Sequence, residues 1–587
     1  MSRAICGRGV WPLVALVTAV SLLVHMRGPL PPHSSHDAFL VIPQLLHAMA
    51  GAVPDDPLFG MFHSTWFSEH AIAHGAQGGD AVFQRAFGNV QEHTWIDAPH
   101  PMLAMALAHH LVPLGPVVPL LVQCGFFAVL LFALAAIGRA VGSEQTGRLA
   151  ALLAVGTPGL FGAIHYIEPH LAIAAVSTAC VAMLLKADRL RDWRWAAAAS
   201  LALWSLGRSG EGSGEAVIAG LVVVGPVLWT VAASDRSLSV RRWLVGLSAL
   251  AVPFLVLSDL PWMMAAMERV TRAFADPAVQ SDVVAKGGAL SSPVAWMGAY
   301  LILAVTDYFR PLLAALVAIG LMGAIRSDFR RRSIALLWLL VPWLALSWMQ
   351  RKASWYGIAL LPPVLLWAAV GLERLLPKRA LRVAGAVAVA QLLVFSLVSA
   401  DRFPGALTLL RDPLPLHDWR LRRIEFLQPG VSEANGRAAA SVDRIVDWME
   451  AAEEERPVAI MTMGTQHDYA VRYALQLNMP GVEVINVGDP RVRELRYRSL
   501  HPNDFGVFAF FDSAAVEWPP SASQSAWLSR NLHCSNNDPF DSFVAAIFER
   551  SGDPVDGFYP LEKTASERLG PGQVWKARTV NGGLCAQ

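Results

Sequence analysis

The sequence predicts a polytopic α-helical membrane protein with about 11 transmembrane helices, followed by a C-terminal α/β domain. Hydrophobic residues make up 54% of the 587 residues and charged residues only 16%, a balance typical of membrane proteins. Apolar runs long enough to cross a bilayer recur up to about residue 400. After Pro404 the chain becomes polar, and short β-rich runs at 457–461, 482–487, 505–511 and 543–548 alternate with helix-like stretches. That alternation is typical of a small α/β domain with a largely parallel sheet.

The predicted spans begin near Trp11, Pro116, Gly147, Leu171, Trp195, Ala216, Trp243, Trp296, Ile334, Trp355 and Leu381. Arginine and lysine collect in alternate loops, which indicates that those loops face the cytoplasm. The N-terminus is therefore predicted to be cytoplasmic, and an odd number of spans places the C-terminal domain outside the cytoplasm. Residues 296–325 are interrupted by Asp307, Arg310 and Pro311. We interpret them as an interfacial helix followed by one span; two spans there would reverse the side of the tail.

The resulting organisation is a transmembrane domain at 1–402 and an extracytoplasmic α/β domain at 403–587. External loops are predicted at 27–115, with interfacial helices, and at 258–293. The first helix is interpreted as uncleaved rather than as a signal peptide, because no small-residue cleavage site precedes Pro29. Cys124 and Cys180 lie in predicted spans, where they are expected to be small apolar packing residues. Cys534 and Cys585 lie in the polar tail, and whether they form a disulfide is not decided by the sequence. A net charge of +1 argues against a nucleic-acid partner.

Three carboxylates are predicted to face the same, external membrane surface. Asp37 follows the first span, Asp97 lies near the end of the first external loop, and Glu168 sits in the short turn between the third and fourth spans. Burial beside membrane helices raises a carboxyl pKa toward the range useful to a general base. The alternative is that each carboxylate caps a helix or satisfies loop backbone.

The order of the motifs resembles the GT-C superfamily of membrane glycosyltransferases, especially the protein O-mannosyltransferase and aminoarabinose-transferase-like group. The segment His36-Asp37-Ala38 resembles the catalytic-base position after the first span, and 97–103 resembles the histidine- and proline-containing segment before the second. Residues 166–169 (Tyr-Ile-Glu-Pro) resemble the second acidic motif. Residues 202–208 resemble a small-residue span ending in a basic residue, and 351–363 a span rich in lysine, tyrosine and proline.

This resemblance implies transfer of a sugar from a polyprenyl-phosphate donor to a lipid, glycan or protein acceptor outside the cytoplasm, in a bacterial inner membrane. Asp37 would be the general base, with Asp97 and Glu168 as further catalytic carboxylates. The implied donor-phosphate ligands are Arg208, Lys286, Arg351 and Lys352. The implied substrate contacts are His36, His100 and Tyr356. Arg351 and Lys352 could instead snorkel to the interface, and Tyr356 could anchor the chain there.

Histidines are concentrated early in the chain, where 13 of the 17 precede residue 171. Together with the carboxylates they leave a divalent-metal site open, but no zincin-type pattern accompanies them, and we assign no metal ligand. Two other functions remain as alternatives. A non-catalytic membrane scaffold would fit the same topology. A transporter fits less well, because its ionisable residues would lie at mid-span and its halves would often repeat.

Overall fold

A computed structural model divides the chain into two compact units. The first comprises Met1–Val24, Asp97–Pro101 and Leu120–Pro429, and the second His25–Ile96, Met102–Pro119 and Gly430–Gln587. The residues described are 10–25, 33–34, 101, 104–105, 107–108, 111–112, 117–167, 169–207, 212–232, 239–257, 298, 300–301, 303–325, 333–348, 354–399, 446–447, 449–450, 458–463, 475, 478–479, 482, 484–486, 507–512, 543–548 and 559–561. The predicted loop 258–293, most of the loop 27–115 and the domain boundary after residue 402 lie outside them, so these remain predictions.

Helices make up almost all of the described first unit. They are α1 (Trp11–His25), α2 (Val117–Val141), α3 (Glu144–Val155), α4 (Pro158–His165), α5 (Pro169–Lys186), α6 (Trp193–Gly207), α7 (Gly212–Ala232), α8 (Val240–Leu257), a π-helix (Ala304–Tyr308), α9 (Arg310–Ile325), α10 (Ser333–Trp348), a 3₁₀-helix (Ser354–Leu360), α11 (Leu361–Leu375) and α12 (Ala380–Ser399). A two-residue strand, β2 (Tyr166–Ile167), separates α4 from α5. The apolar runs of the sequence therefore do form helices.

By length and composition, four helical segments of the described chain can cross a membrane: Val117–Val141, Pro169–Lys186, Val240–Leu257 and Tyr356–Leu375. The α3–α4 pair counts as a fifth if it is one broken span. Shorter apolar helices of 10–17 residues include Trp11–Leu23, Arg310–Ile325 and Ser333–Ser347. The protein is thus a helical membrane protein, and the count of about eleven spans stays a prediction.

The third predicted span is broken rather than continuous. Helices α3 and α4 meet at an angle of 58° across Gly156 and Thr157. Pro158 opens α4, and its ring prevents α3 from continuing because proline has no N–H to donate and clashes with the preceding turn. The Thr157 hydroxyl donates to the Leu153 carbonyl at 2.7 Å, which satisfies one acceptor freed by the break. All eight residues of α4 are buried, so the bend directs the chain into the bundle.

The arginine-rich turns gather at one end of the first unit, here called the basic end. Ser143 caps α3, and both Ser143 Oγ and Thr146 Oγ1 donate to the carboxylate of Glu373 at the end of α11. Arg139, near the end of α2, is an electrostatic neighbour of Lys186, the last residue of α5. Helix α3 starts and helices α2, α5 and α11 end here. The end of α4 and the start of α11 therefore point to the opposite end of the bundle.

Helices α9 and α11 cross with their backbones in close contact. A Cβ atom built on Gly371 would overlap the Gly320 carbonyl oxygen and lie 2.6 Å from the Ala324 nitrogen. Small residues let membrane helices approach this closely, which replaces the missing hydrophobic driving force with packing.

We expect Gly371→Ala to lower the free energy of unfolding by about 1–3 kcal/mol, because the atoms that its methyl group meets are backbone and cannot rotate away. The measurement is unfolding of the purified protein in mixed micelles. Gly220→Ala in α7, where a Cβ meets nothing within 4 Å, is the matched control and should leave stability unchanged. Equal stability of the two variants would contradict the close crossing.

The second unit contains a five-stranded sheet. Its strands are β3 (Val458–Met463), β4 (Val484–Asn486), β5 (Val507–Asp512), β6 (Phe543–Phe548) and β7 (Tyr559–Leu561), in the spatial order β4-β3-β5-β6-β7. All pairs are parallel except β6 with β7. Strands β3 to β6 coincide with the four β-rich runs of the sequence. Most of the connecting residues are outside the described chain, so the α/β domain remains a prediction. The same unit contains the two-residue strand β1 (His33–Ser34).

Candidate functional site

The candidate site lies at the end of the first unit opposite the basic end, around the turn between α4 and α5. His165 is the last residue of α4 and His170 the second residue of α5, and their side chains are only 7% and 4% exposed. The His165 ring lies 5.1 Å from the Phe161 ring, within the same helix. Buried histidines therefore lie on both sides of Glu168 in the sequence. The Glu168 side chain itself lies outside the described residues.

A second segment reaches the same place from a distant part of the sequence. The 3₁₀-helix Ser354–Leu360 carries Tyr356, which is 3% exposed and whose ring lies edge-on to His170 at 5.8 Å. Pro362 and Pro363 explain the change of helix type, because they supply no N–H groups for α-type bonds to the preceding turn. The structure thus places His170, the residue after the motif at 166–169, against Tyr356 of the motif at 351–363. Tyr356 is packed inside the protein rather than exposed as a lipid-facing anchor.

A π-helix completes this end of the bundle. It spans Ala304–Tyr308 and lies within the stretch that the sequence marks as interrupted. Tyr308 is buried between two glycines: a Cβ on Gly159 of α4 would meet its Cα, and a Cβ on Gly357 would meet its hydroxyl. Gln391 donates to the Phe309 carbonyl at 3.3 Å, and Arg310 begins α9 with a φ of 58°. Short π-helices and left-handed non-glycine residues are uncommon and concentrate at functional sites.

Of the predicted site residues, only Tyr356 falls among the described ones. The residues outside are Asp37, Asp97, Glu168, Arg208, Lys286, Arg351, Lys352, His36 and His100, so their roles remain predictions. Their chain neighbours are informative in two cases. Gly207, directly before Arg208, ends α6 at the site end of the bundle, and the 3₁₀-helix that follows Lys352 lies there too.

Sequence reasoning did not single out His165, His170 or Tyr308. The two histidines flank the acidic motif symmetrically in His165-Tyr-Ile-Glu-Pro-His170. That symmetry was the available signal. The position of Tyr308 had a weaker one, the run Asp307 to Pro311 that interrupts an apolar stretch.

The described part of the chain contains no group of three or more His, Cys, Asp or Glu side chains placed to hold a metal ion. Cys124 and Cys180 are buried free thiols within helices. The described polar side chains of the site include two imidazoles, two phenols, the Gln391 amide and the Arg310 guanidinium. These side chains can form hydrogen bonds and fix the position of the backbone. Ionisable groups that are expected to act in catalysis lie near them in the sequence.

Comparison with known proteins shows the fold. No family model and no curated protein sequence matches the chain. The crystal structure of ArnT from Cupriavidus metallidurans bound to undecaprenyl phosphate is similar, with a TM-score of 0.52 and 14% identity over 92% of this chain and 93% of that one. ArnT in the apo state has a TM-score of 0.45 and 15% identity, covering 81% and 86% of the two chains. The Archaeoglobus fulgidus oligosaccharyltransferase in complex with Zn and sulfate has a TM-score of 0.34 and 12% identity, covering 66% and 54%.

The first of these likenesses confirms the predicted fold. The chain shares its fold with ArnT over most of its length, which is the kind of fold that the motif resemblance implies. At 14% identity the likeness shows the fold, and the membrane location follows from the apolar helices of the described chain. The side of the membrane on which each terminus lies remains a prediction from the loop charges.

Proposed function

We propose that the protein is a membrane glycosyltransferase that moves a sugar from a polyprenyl-phosphate donor to an acceptor outside the cytoplasm. The observation that supports this most directly is the fold shared with ArnT in its complex with undecaprenyl phosphate. The packing of His170 on Tyr356 adds to it, because it joins two of the motifs by which the sequence resembles this superfamily. The sugar is left open, as is the choice among lipid, glycan and protein acceptors.

In this proposal Asp37 takes the proton from the acceptor as it attacks the anomeric carbon. Asp97 and Glu168 are the further carboxylates of the site. The bond that breaks joins the sugar to a lipid phosphate, so negative charge develops on that phosphate and cations stabilise it in the transition state. Arg208, Lys286, Arg351 and Lys352 are the proposed cations. An arginine holds a phosphate through two parallel hydrogen bonds, whereas a lysine acts as a point charge.

The buried groups of the described site have a supporting role in this mechanism. His165 and His170 are buried on either side of Glu168 in the sequence, and His170 packs on Tyr356. Tyr308 packs against Gly357, the residue after Tyr356. Catalysis by general bases and phosphate ligands depends on their positions to well within 1 Å. These contacts supply such positioning at the end of the bundle where the catalytic groups are expected.

The purified protein in lipid nanodiscs is expected to consume a radiolabelled polyprenyl-phosphate sugar when a bacterial envelope extract supplies the acceptor. Release of polyprenyl phosphate should match the label gained by the extract. The control omits the extract, and donor loss should then be much slower. Consumption of none of a panel of hexosyl and pentosyl donors would contradict the proposal and favour the scaffold alternative.

A further inference from the structure

The basic end of the first unit has a cationic surface that is separate from the proposed transferase site. Six cationic side chains are all exposed on the turn between α5 and α6 and on the first turns of α6 and α8. This surface, here called the basic face, consists of Lys186, Arg189, Arg191, Arg194, Arg241 and Arg242.

The packing of α6 against α8 places these cations on one face. The Phe254 N–H donates to Ser200 Oγ at 2.8 Å, and Trp204 Nε1 donates to the Leu257 carbonyl at 2.9 Å. Near the other end of the pair, Gly246 lies directly against the backbone and side chain of Leu190. The two helices therefore run parallel and start at the same end. Arg242 is one turn before Gly246 and so lies about 6 Å further along the axis, beyond the level of Leu190.

An unusual backbone turn holds the arginines in place. Asp188, Arg189 and Leu190 have φ values of 43°, 57° and 70°, the left-handed region that non-glycine residues rarely adopt. The turn is closed by the Asp192 N–H, which donates to the Ala187 carbonyl at 3.1 Å, and by the burial of Leu190 on Gly246. The surroundings thus fix a conformation that the local chain alone would avoid.

Positive charge predominates on the basic face. Two carboxylates lie among the six cations: Asp188 contacts Arg191 Nη1 at 3.3 Å, and Asp192 accepts the Arg194 N–H at 3.1 Å. Arg139 adds a further cation near Lys186. Exposed cations so close together repel one another unless anions are bound nearby.

Aromatic and aliphatic side chains border the cations. Lys186 Nζ lies 4.1 Å from the centroid of the Trp195 ring, and the Arg194 guanidinium lies 5.8 Å from that of Trp193. Trp193 is 52% exposed, and Val240 at the start of α8 is 73% exposed. Tryptophan beside arginine and lysine at helix ends marks the level of lipid headgroups. A soluble anion would contact the cations but would leave these apolar side chains in water.

We propose that the basic face binds the phosphate headgroup of an anionic glycerophospholipid, with its acyl chains along the exposed apolar side chains of α6 and α8. The turn between α11 and α12 provides the contrast. It exposes four cations, Arg374, Lys378, Arg379 and Arg382, but its residues 374–383 include no aromatic side chain. That turn should attract anions only diffusely, so the two surfaces differ in a way that an experiment can resolve.

The test measures lipid adducts on the full-length protein by native mass spectrometry while phosphatidylglycerol or phosphatidylcholine is titrated into a neutral detergent. Phosphatidylglycerol is expected to bind more tightly than phosphatidylcholine. The variant R189Q/R194Q/R241Q/R242Q is expected to weaken phosphatidylglycerol binding by about 700-fold, since each basic residue near a lipid surface contributes about 1 kcal/mol. The matched variant R374Q/K378Q/R379Q/R382Q removes the same charge elsewhere and should change binding by less than about threefold.

If the variant with four substitutions fails to insert, R241Q/R242Q leaves the α5–α6 turn intact and should weaken binding by about 30-fold. Equal losses in the basic-face and matched variants, or equal affinity for the two lipids, would overturn the proposal. Displacement of phosphatidylglycerol by millimolar inorganic phosphate would also overturn it and point to a soluble anion. None of these readouts depends on glycosyl transfer, so the proposed function and this proposal fail independently.

Discussion

Asp37→Asn is expected to lower the rate of sugar transfer by about 10²–10⁴-fold, the usual contribution of a positioned general base. Asparagine has nearly the shape of aspartate but accepts no proton at neutral pH, so the acceptor would have to attack while still protonated. The measurement is the initial rate of label transfer from the polyprenyl-phosphate donor to acceptor, at saturating donor. Donor affinity should change little, because the phosphate is assigned to cations elsewhere in the chain.

Asp188→Asn is the control for this experiment. It makes the same chemical change at the basic end, on a side chain that is 62% exposed, and asparagine tolerates the left-handed φ of that position. Its rate should equal that of the wild type. If Asp37→Asn retains full activity, the general-base assignment is wrong. The transferase proposal would still hold in that case, because it rests on the activity of the wild type. If both variants lose activity equally, the loss reflects folding or insertion rather than chemistry.

Hydropathy predicted the positions of the helices well, because a membrane span requires a long run of apolar residues that is visible in the sequence. Pro116 was predicted to begin the second span and α2 begins at Val117; Ile334 was predicted for a later span and α10 begins at Ser333. Each of these starts depends on local sequence alone, since a helix in lipid must satisfy its own backbone hydrogen bonds. The four β-rich runs of the tail coincide with strands for a different reason, because short runs of β-branched, aromatic and other apolar residues favour extended backbone.

Local sequence was less informative where packing decides the structure. The break between α3 and α4 had a visible signal in Pro158, but the apolar run continues across it and hides the bend. The contact of His170 with Tyr356 joins segments far apart in the chain, and hydropathy contains no information on which helices become neighbours. The π-helix likewise depends on Tyr308 fitting between Gly159 and Gly357, a tertiary constraint rather than a propensity.

Gly357→Ala is expected to lower transfer activity by about 100-fold through the position of Tyr356. The new methyl group would lie within 3.0 Å of three atoms of the Tyr308 ring and hydroxyl. Tyr308 cannot rotate away freely, because it is buried and its Cα lies against Gly159. The 3₁₀-helix must therefore shift, and Tyr356 would move relative to His170 and to the turn that contains Glu168. Misplacement of a site by about 1 Å is enough for a loss of this size.

If the overlap between the new methyl group and Tyr308 causes the loss of activity, a smaller side chain at position 308 should restore part of the transfer rate. Tyr308→Phe removes the hydroxyl oxygen, the atom nearest to the new methyl group, but leaves two ring carbons within 3.0 Å, so Gly357→Ala combined with Tyr308→Phe should recover part of the lost rate. Tyr308→Phe alone supplies the reference rate for the double variant, and Gly125→Ala in α2, where a Cβ meets nothing within 4 Å, should be nearly neutral. Rates and thermal unfolding are measured on all four variants in nanodiscs. A double variant no more active than Gly357→Ala would show that the overlap with Tyr308 is not the cause. A Gly357→Ala protein with wild-type rate would show that Tyr356 need not be held against His170 for catalysis.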